Sequence, residues 1–364
     1  MKRCILSILI TSLIILAPAY TLFSFQGTNI KADSEIPSFD FSDAKAINFY
    51  LSLNKTGFGL LSDSPGSKTV HLADDQALDY YALNYIYSTT QNSTSKWLAN
   101  QINASMFQWG GFFKYWNPVF EILGHYPNSP EPQNGSDFPI GTQSGFTINA
   151  TEYAPNQSFN YSQYSDQLSY RVLLELHEGN YSTAEALFKT LNSTWDGRGF
   201  ADQAFYTGNQ NGTYQSYKLA LFEITLNALH TNSGTSSFAS EFSSTASNIA
   251  LTMSELQSPY SGGVWTGYKF TSGHIEFGPL LSSQNGETTS LFVIAAIMLT
   301  APPPTSSTAS TTTTSSISGT VSTSTTTLSS HSTDFVYILI AVIVVLTAVV
   351  AIAFMRRREK LENP

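Results

Sequence analysis

The sequence predicts an all-α domain carried outside a membrane by one C-terminal transmembrane helix, and three observations lead there. Apolar residues recur at steps of three and four in several segments. Two other segments are apolar on nearly every side, yet too short to cross a bilayer. A third stretch, Phe335 to Met355, runs 21 residues without a charge. As a helix it would span about 31 Å, the thickness of a bilayer core.

In chain order, residues 1–30 open with Lys2 and Arg3 and continue into the apolar run Ile5 to Ala17. That order reads as an export signal or an N-terminal anchor. Residues 31–301 are long enough for one large domain. Within them Ala77, Leu78, Tyr81, Ala82, Tyr85 and Ile86 form one apolar stripe. Ala184, Leu187, Phe188, Leu191 and Trp195 form a second, and Phe238, Phe242, Ala246, Ile249, Met253 and Leu256 a third. Each stripe is one face of an amphipathic helix. Leu219–Leu229 and Leu291–Leu299 are apolar on nearly every side, so they predict helices buried within protein. Amphipathic helices alternating with buried ones imply an inner and an outer layer.

A weak internal repeat fits two layers. Gly57-Phe58-Gly59-Leu60 precedes the helix start Asp74-Asp75-Gln76-Ala77-Leu78. Gly197-Arg198-Gly199-Phe200 precedes Tyr214-Gln215-Ser216-Tyr217-Lys218, and Gly262-Gly263-Val264-Trp265 precedes Glu287-Thr288-Thr289-Ser290-Leu291. A stretched copy links Gly110-Gly111-Phe112-Phe113 with Asp166-Gln167-Leu168-Ser169-Tyr170. The insertion in that copy, Asn117 to Asn160, is rich in Pro, Gly and Asn and predicts a long loop with a few short strands.

This rhythm of loops entering buried helices resembles an (α/α) toroid, a fold shared by six-hairpin glycosidases, some polysaccharide lyases, prenyltransferase-like barrels and thioester-domain relatives. The resemblance covers roughly residues 40–300. The thioester branch requires a Cys-Gly-Glu-Gln element, which this chain lacks. Only about eight or nine helices are legible, fewer than six hairpins contain. What the resemblance implies is a central funnel lined by inner-helix starts and their loops. Its acids would be Asp74, Asp75, Asp166, Asp202, Glu276 and Glu287. As in glycosidases, one carboxyl would keep its proton and act as general acid, while a second, ionised, acts as base or nucleophile. Asp75, Glu287, Asp166 and Asp74 are the catalytic candidates. Trp265, Tyr268, Trp109 and Trp116 are aromatic faces for stacking on sugar rings, and His71 and His274 lie in the repeat loops. The competing role for any of these acids is a helix cap or a first-turn charge complementing the helix dipole.

Other chemistries find no support in the residues. The chain has no G-x-S-x-G elbow, no H-E-x-x-H and no P-loop, and so calls for no metal or cofactor. The one cysteine is Cys4, in the N-terminal segment, which argues against a disulfide scaffold. A net charge of −9 argues against nucleic acid as a partner.

Residues 302–333 contain 23 Ser or Thr in 32 positions and open with Pro302-Pro303-Pro304. Such a stretch cannot bury a core and reads as an extended or O-glycosylated stalk. The apolar span at 335–355 follows. Arg356, Arg357, Arg358 and Lys360 come next, placing the tail 356–364 in the cytoplasm and the rest of the chain outside. Ten N-x-[ST] sequons, at Asn54, Asn92, Asn103, Asn134, Asn149, Asn156, Asn160, Asn180, Asn192 and Asn211, all fall in the exported part. They fit a glycosylated surface.

Residues 31–333 carry 23 acidic and 11 basic side chains, a net charge of −12, against 12% charged residues in the whole chain. Surfaces built from hydroxyl and amide groups stay hydrated when carboxylates are neutralised by acid. This composition resembles exported proteins of acidophilic archaea such as the Sulfolobales. Two functions follow as expectations. One is a membrane-anchored, glycosidase-like protein acting on or binding extracellular polysaccharide. The other is a non-catalytic surface glycoprotein that binds carbohydrate or peptide, or builds the envelope.

Overall fold

The computed structural model describes residues 39–300, apart from positions 56, 58, 68, 69, 115, 127–132, 144, 156–159 and 208–211. The export segment, the stalk, the apolar span and the basic tail lie outside the described residues. Among the described residues, no helix is long and apolar enough to cross a membrane.

The chain is mostly helical. In order, α1 is Asp43–Leu53, α2 Ala73–Thr90, α3 Ser93–Gln108, α4 Ser165–His177, α5 Tyr181–Ser193, α6 Gln203–Tyr206, α7 Tyr217–Thr231, α8 Ser236–Ala239, α9 Ser243–Leu256 and α10 Gly286–Thr300. A 3-10 segment, Pro118–Leu123, lies between α3 and α4. The fold is α-rich, with short strands in the insertion and beyond it: among the described residues these are β1 Val70–Leu72, β2 Gln133–Gln143, β3 Phe146–Pro155, β4 Tyr214–Gln215, β5 Gly267–Thr271 and β6 His274–Glu276. They form two three-stranded sheets, ordered β1-β3-β2 and β4-β5-β6. The Pro- and Gly-rich insertion folds as the long hairpin β2–β3, whose register shifts between Pro139 and Gly141. A central strand has no use for Pro, which lacks the N–H that the ladder needs, and β2 is indeed an edge strand.

Four helices form the inner layer. α2 packs against α10, α10 against α7, and α7 against α4, while the 3-10 segment touches both α4 and α2 and completes the circuit. The two segments lacking a polar face are α7 and α10, and Leu219, Leu221, Phe222, Leu291, Phe292 and Val293 are wholly buried there. Each such side chain contributes roughly 1.5–3 kcal/mol relative to exposure. The outer helices lie against these four: α3 on α2, α5 on α4, α8 and α9 on α7, and α1 on α10. Their apolar stripes face inward. Ala184, Phe188 and Leu191 of α5 are buried, as are Ala246, Ile249, Met253 and Leu256 of α9. The third stripe begins before α9, where Phe238 and Phe242 reach the same core through α8 and one 3-10 turn.

The loops entering the inner layer are fixed by glycine. Gly262 has φ of 82°, and a Cβ there would sit 2.0 Å from the Lys45 carbonyl oxygen. Only glycine combines that backbone conformation with so close an approach.

Candidate active site at the helix starts

Every member of the inner circuit places a polar side chain at its first turn or cap, and these side chains converge. Asp74 and Asp75 open α2, Asp166 opens α4, Tyr217 opens α7 and Glu287 opens α10. Asn117 precedes the 3-10 segment and donates its side-chain N–H to an Asp74 carboxylate oxygen, at 2.5 Å. The Tyr217 hydroxyl donates to Asp166 at 3.1 Å. Asp63, from the loop between α1 and β1, joins the group. Its backbone carbonyl accepts the Gly286 N–H at 2.9 Å, and its charge acts on both Asp75 and Glu287.

None of Asp74, Asp75, Asp166 and Glu287 stands at the cap position of its own helix; each lies in a first turn, where a carboxylate also complements the helix dipole. At α10 the Thr288 N–H is taken by Asn285 Oδ1, so Asn285 is the cap and Glu287 stands clear of it. α2 follows β1 directly, with Leu72 at the cap position and no side-chain cap bond. α4 likewise starts from Tyr164 without one. Asp202 is different. Its Oδ1 caps α6 by accepting from the Ala204 and Phe205 N–H groups, and its Oδ2 takes the Ser165 N–H and the Lys218 ammonium.

Crowding of like charge and loss of water both act on the group. Asp75 is 3% exposed; burial, then the charges of Asp74, Glu287, Asp63 and Asp79, raise its pKa well above the usual carboxyl range. Its Oδ2 is buried and has no hydrogen-bond partner among the described residues. Glu287 is half-buried at the surface but densely surrounded. Burial first, and then Asp74, Asp63, Asp166 and Asp79, push its pKa to about 8. Beneath both lies Asp79, 1% exposed, raised to about 7 by burial against the opposing hydrogen bond from Ser290. Burial also lifts the Tyr217 hydroxyl well above its ordinary range, with Asp166 the largest of the charges acting on it. A site of this kind holds protons at neutral pH that ordinary carboxyls would release.

The remaining candidates scatter. His71 is wholly buried, with Nδ1 2.7 Å from the Leu61 carbonyl oxygen, so no ligand can reach it. Tyr268 is also wholly buried and donates its hydroxyl to the Arg198 carbonyl; the ring that looked like a stacking face packs on Tyr214 and Phe270 instead. Trp109, just past α3, lies against β2, where a Cβ on Gly141 would sit 2.1 Å from its ring. Trp116 neighbours Asn117 and meets Phe120 edge-on. Trp265 is half-buried and stacks on Phe277. Glu276 and His274 are exposed on β6, and His274 lines a cleft of about 410 Å³ with Glu255, Asn248 and Phe270, away from the helix starts. Among the described residues, no group of three or more His, Cys, Asp or Glu is arranged to hold a metal ion.

Sequence reasoning missed Asn117, Tyr217, Asp63 and Asp79 as members of the site. Asp79 had one legible sign, its position four residues after Asp75 on the same helix face. Asn117 and Asp63 had none, since their roles depend on which loops meet.

No family model and no curated protein matches this chain. Among solved structures, it is similar to the GH76A alpha-1,6-mannanase from Salegentibacter sp. HEL1_6, at 11% identity and a TM-score of 0.25. The alignment covers 65% of this chain and 58% of that one, so this chain spans less than two thirds of the neighbour's length. A superposition that shallow says nothing about chemistry, which rests on the geometry of the helix starts.

Proposed function

We propose that the domain is an incomplete (α/α) toroid that hydrolyses glycosidic bonds at the convergence of its inner-helix starts. The observation that carries this reading is a crowded set of carboxyls, not used as caps, in which one group is pushed to hold its proton beside another that accepts hydrogen bonds. Glu287, raised to about 8, is suited to protonate a leaving oxygen. Asp74 is the carboxylate whose charge acts most strongly on Glu287, and it accepts the side-chain N–H of Asn117. It is suited to act as base or nucleophile. Asp75 and Asp166 supply the surrounding charge, and Trp116, beside Asn117, is the aromatic face nearest in sequence to the site.

The same reading places the enzyme outside the cell, on the Ser/Thr-rich stalk of 302–333, anchored by 335–355 with the basic tail inside, and acting on extracellular polysaccharide. The sequence patterns described above support it. The test is hydrolysis of a panel of polysaccharides by the full-length protein. Glu287→Gln and Asp74→Asn should each lower kcat/KM by about 10²–10⁴-fold, with unchanged thermal stability at acid pH. Retention of full activity in both variants overturns the assignment. Tight glycan binding with no turnover in the parent protein would instead favour a non-catalytic surface glycoprotein.

A further inference from the structure

The buried carboxyl of Asp79 takes no direct part in that chemistry, yet its surroundings are built around it. It lies one turn below Asp75 on α2. Ser290, three residues after Glu287 on α10, donates its hydroxyl to Asp79 Oδ1 at 2.7 Å. The Tyr50 hydroxyl of α1 lies 2.7 Å from that same Ser290 oxygen. When Asp79 is ionised, the one Ser290 hydrogen goes to its carboxylate, and Tyr50 is then the donor in the second bond. Two hydroxyls on two other helices therefore point their hydrogens along a chain that ends on Asp79. The start of α10 is shaped to admit the carboxyl, because a Cβ on Gly286 would sit 3.0 Å from both Asp79 oxygens.

We infer that Asp79 is a positioning residue: through Ser290 and Tyr50 it ties α2, α10 and α1 together and fixes the first turn of α10, where Glu287 stands. When ionised, Asp79 is also one of the charges that act on Glu287, after burial, Asp74, Asp63 and Asp166. Asp79 is not a catalytic residue, being 1% exposed and out of reach of any substrate. The groups that face Glu287 from the neighbouring elements are Asp63 from the loop, Asp74, Asp75 and Asp79 from α2, Asp166 from α4 and Tyr217 from α7. Tyr50 faces Asp79 from α1. Asp79 has a donor chain from α10 and α1 directed onto its carboxyl. An anion there raises every neighbouring carboxyl pKa, and neutralising it releases them.

This inference rests on the glycosidase reading only for the role of Glu287, and its test needs no turnover. In the full-length protein with isotope-labelled glutamate side chains, the Glu287 carboxyl resonance is followed against pH. Asp79→Asn keeps an acceptor for Ser290 while removing the charge, and should lower the Glu287 midpoint by a measurable amount of up to roughly half a pH unit, Asp79 being the last of the charges that act on it. Ser290→Ala removes the donor that favours ionised Asp79, and should shift the midpoint in the same direction by less. If Glu287 titrates unchanged in a folded Asp79→Asn protein, the inference is overturned. Should that variant fail to fold, an unchanged midpoint in Ser290→Ala overturns it equally. A shifted midpoint in a protein that cleaves no glycan upholds the role of Asp79 and discards the enzyme reading alone.

Discussion

Asp202 and Glu287 both sit where a loop enters the inner circuit of helices, and both were candidates for chemistry on the same grounds. Their surroundings are opposite. Asp202 is buried with a full complement of partners: the Lys218 ammonium at 2.5 Å, the Ser165 N–H and two N–H groups of α6. It joins α4, α6 and α7 and has no capacity left for a ligand. Glu287 is surrounded by Asp74, Asp63, Asp166 and Asp79, while the cap of its helix is made by Asn285. A buried carboxylate that is fully paired holds a fold together. One held among like charges is the kind of group to which the proposed hydrolysis assigns the acid role, and the contrast distinguishes the two carboxyls at one end of the molecule.

The comparison is broken most severely on the Asp202 side. Lys218→Met keeps much of the side-chain volume but strands a buried carboxylate, and should destabilise the domain by about 3–5 kcal/mol. Denaturant unfolding at neutral pH measures it. A loss below about 1 kcal/mol would mean that Asp202 finds other partners and is not the fixed point described here.

A second effect, of similar size, comes from pH. Asp79 has an ordinary value of 3.8 and is raised to about 7 in the fold; Glu287 goes from 4.5 to about 8. Between the ordinary and the raised value, the folded state binds more protons than the unfolded chain, so stability falls as pH rises. The stabilisation is complete below pH ~4 and is lost progressively by pH ~8, about 4 kcal/mol for Asp79 alone on an order-of-magnitude basis. Glu223 adds to this trend. It is wholly buried in α7, neither of its carboxyl oxygens has a partner among the described residues, and burial raises its pKa well above normal. Thermal melts across this range should show the highest Tm at the acid end, and Asp79→Asn should flatten the slope. A Tm that climbs from pH 4 to 8 would contradict the protonated state of the site.

Smaller effects sharpen the picture. Gly286→Ala presses a methyl group against the Asp79 carboxyl at 3.0 Å, and should cost about 1–3 kcal/mol as an overpacking change. That loss should ease in the Asp79→Ala background, where the obstacle is gone. Glu276→Gln, on the exposed β6, should change stability by less than about 0.5 kcal/mol and leave any hydrolysis intact. A large effect there would move the site toward the β5–β6 hairpin.

Much of this was legible in the residues. The all-round apolar runs of α7 and α10 could only be buried, and the Gly-rich loops did mark the entries to α2, α7 and α10. Asp74 and Asp75, Asp166 and Glu287, picked from three separate loop-to-helix entries, interact through their charges at one place. Less visible was anything that depends on packing between distant segments. Tyr268 and Trp265 are close in sequence and similar in type, yet one is sealed under Tyr214 while the other stays half-buried. His71 lies in a loop that folds into β1, whose pairing with β3 takes it inside. Strand content was underestimated because Gln133–Gln143 and Phe146–Pro155 carry Pro, Gly and Asn at positions that usually signal turns.

The short strand β1 has a mechanical consequence. Its last residue, Leu72, is the cap position of α2, and it pairs in parallel with β3, Leu72 opposite Asn149. No slack separates the hairpin from the helix that bears Asp74 and Asp75. A force on β2 or β3 must therefore either peel those few hydrogen bonds apart or lever the first turn of α2, so whatever grips the hairpin has a handle on Asp74 and Asp75.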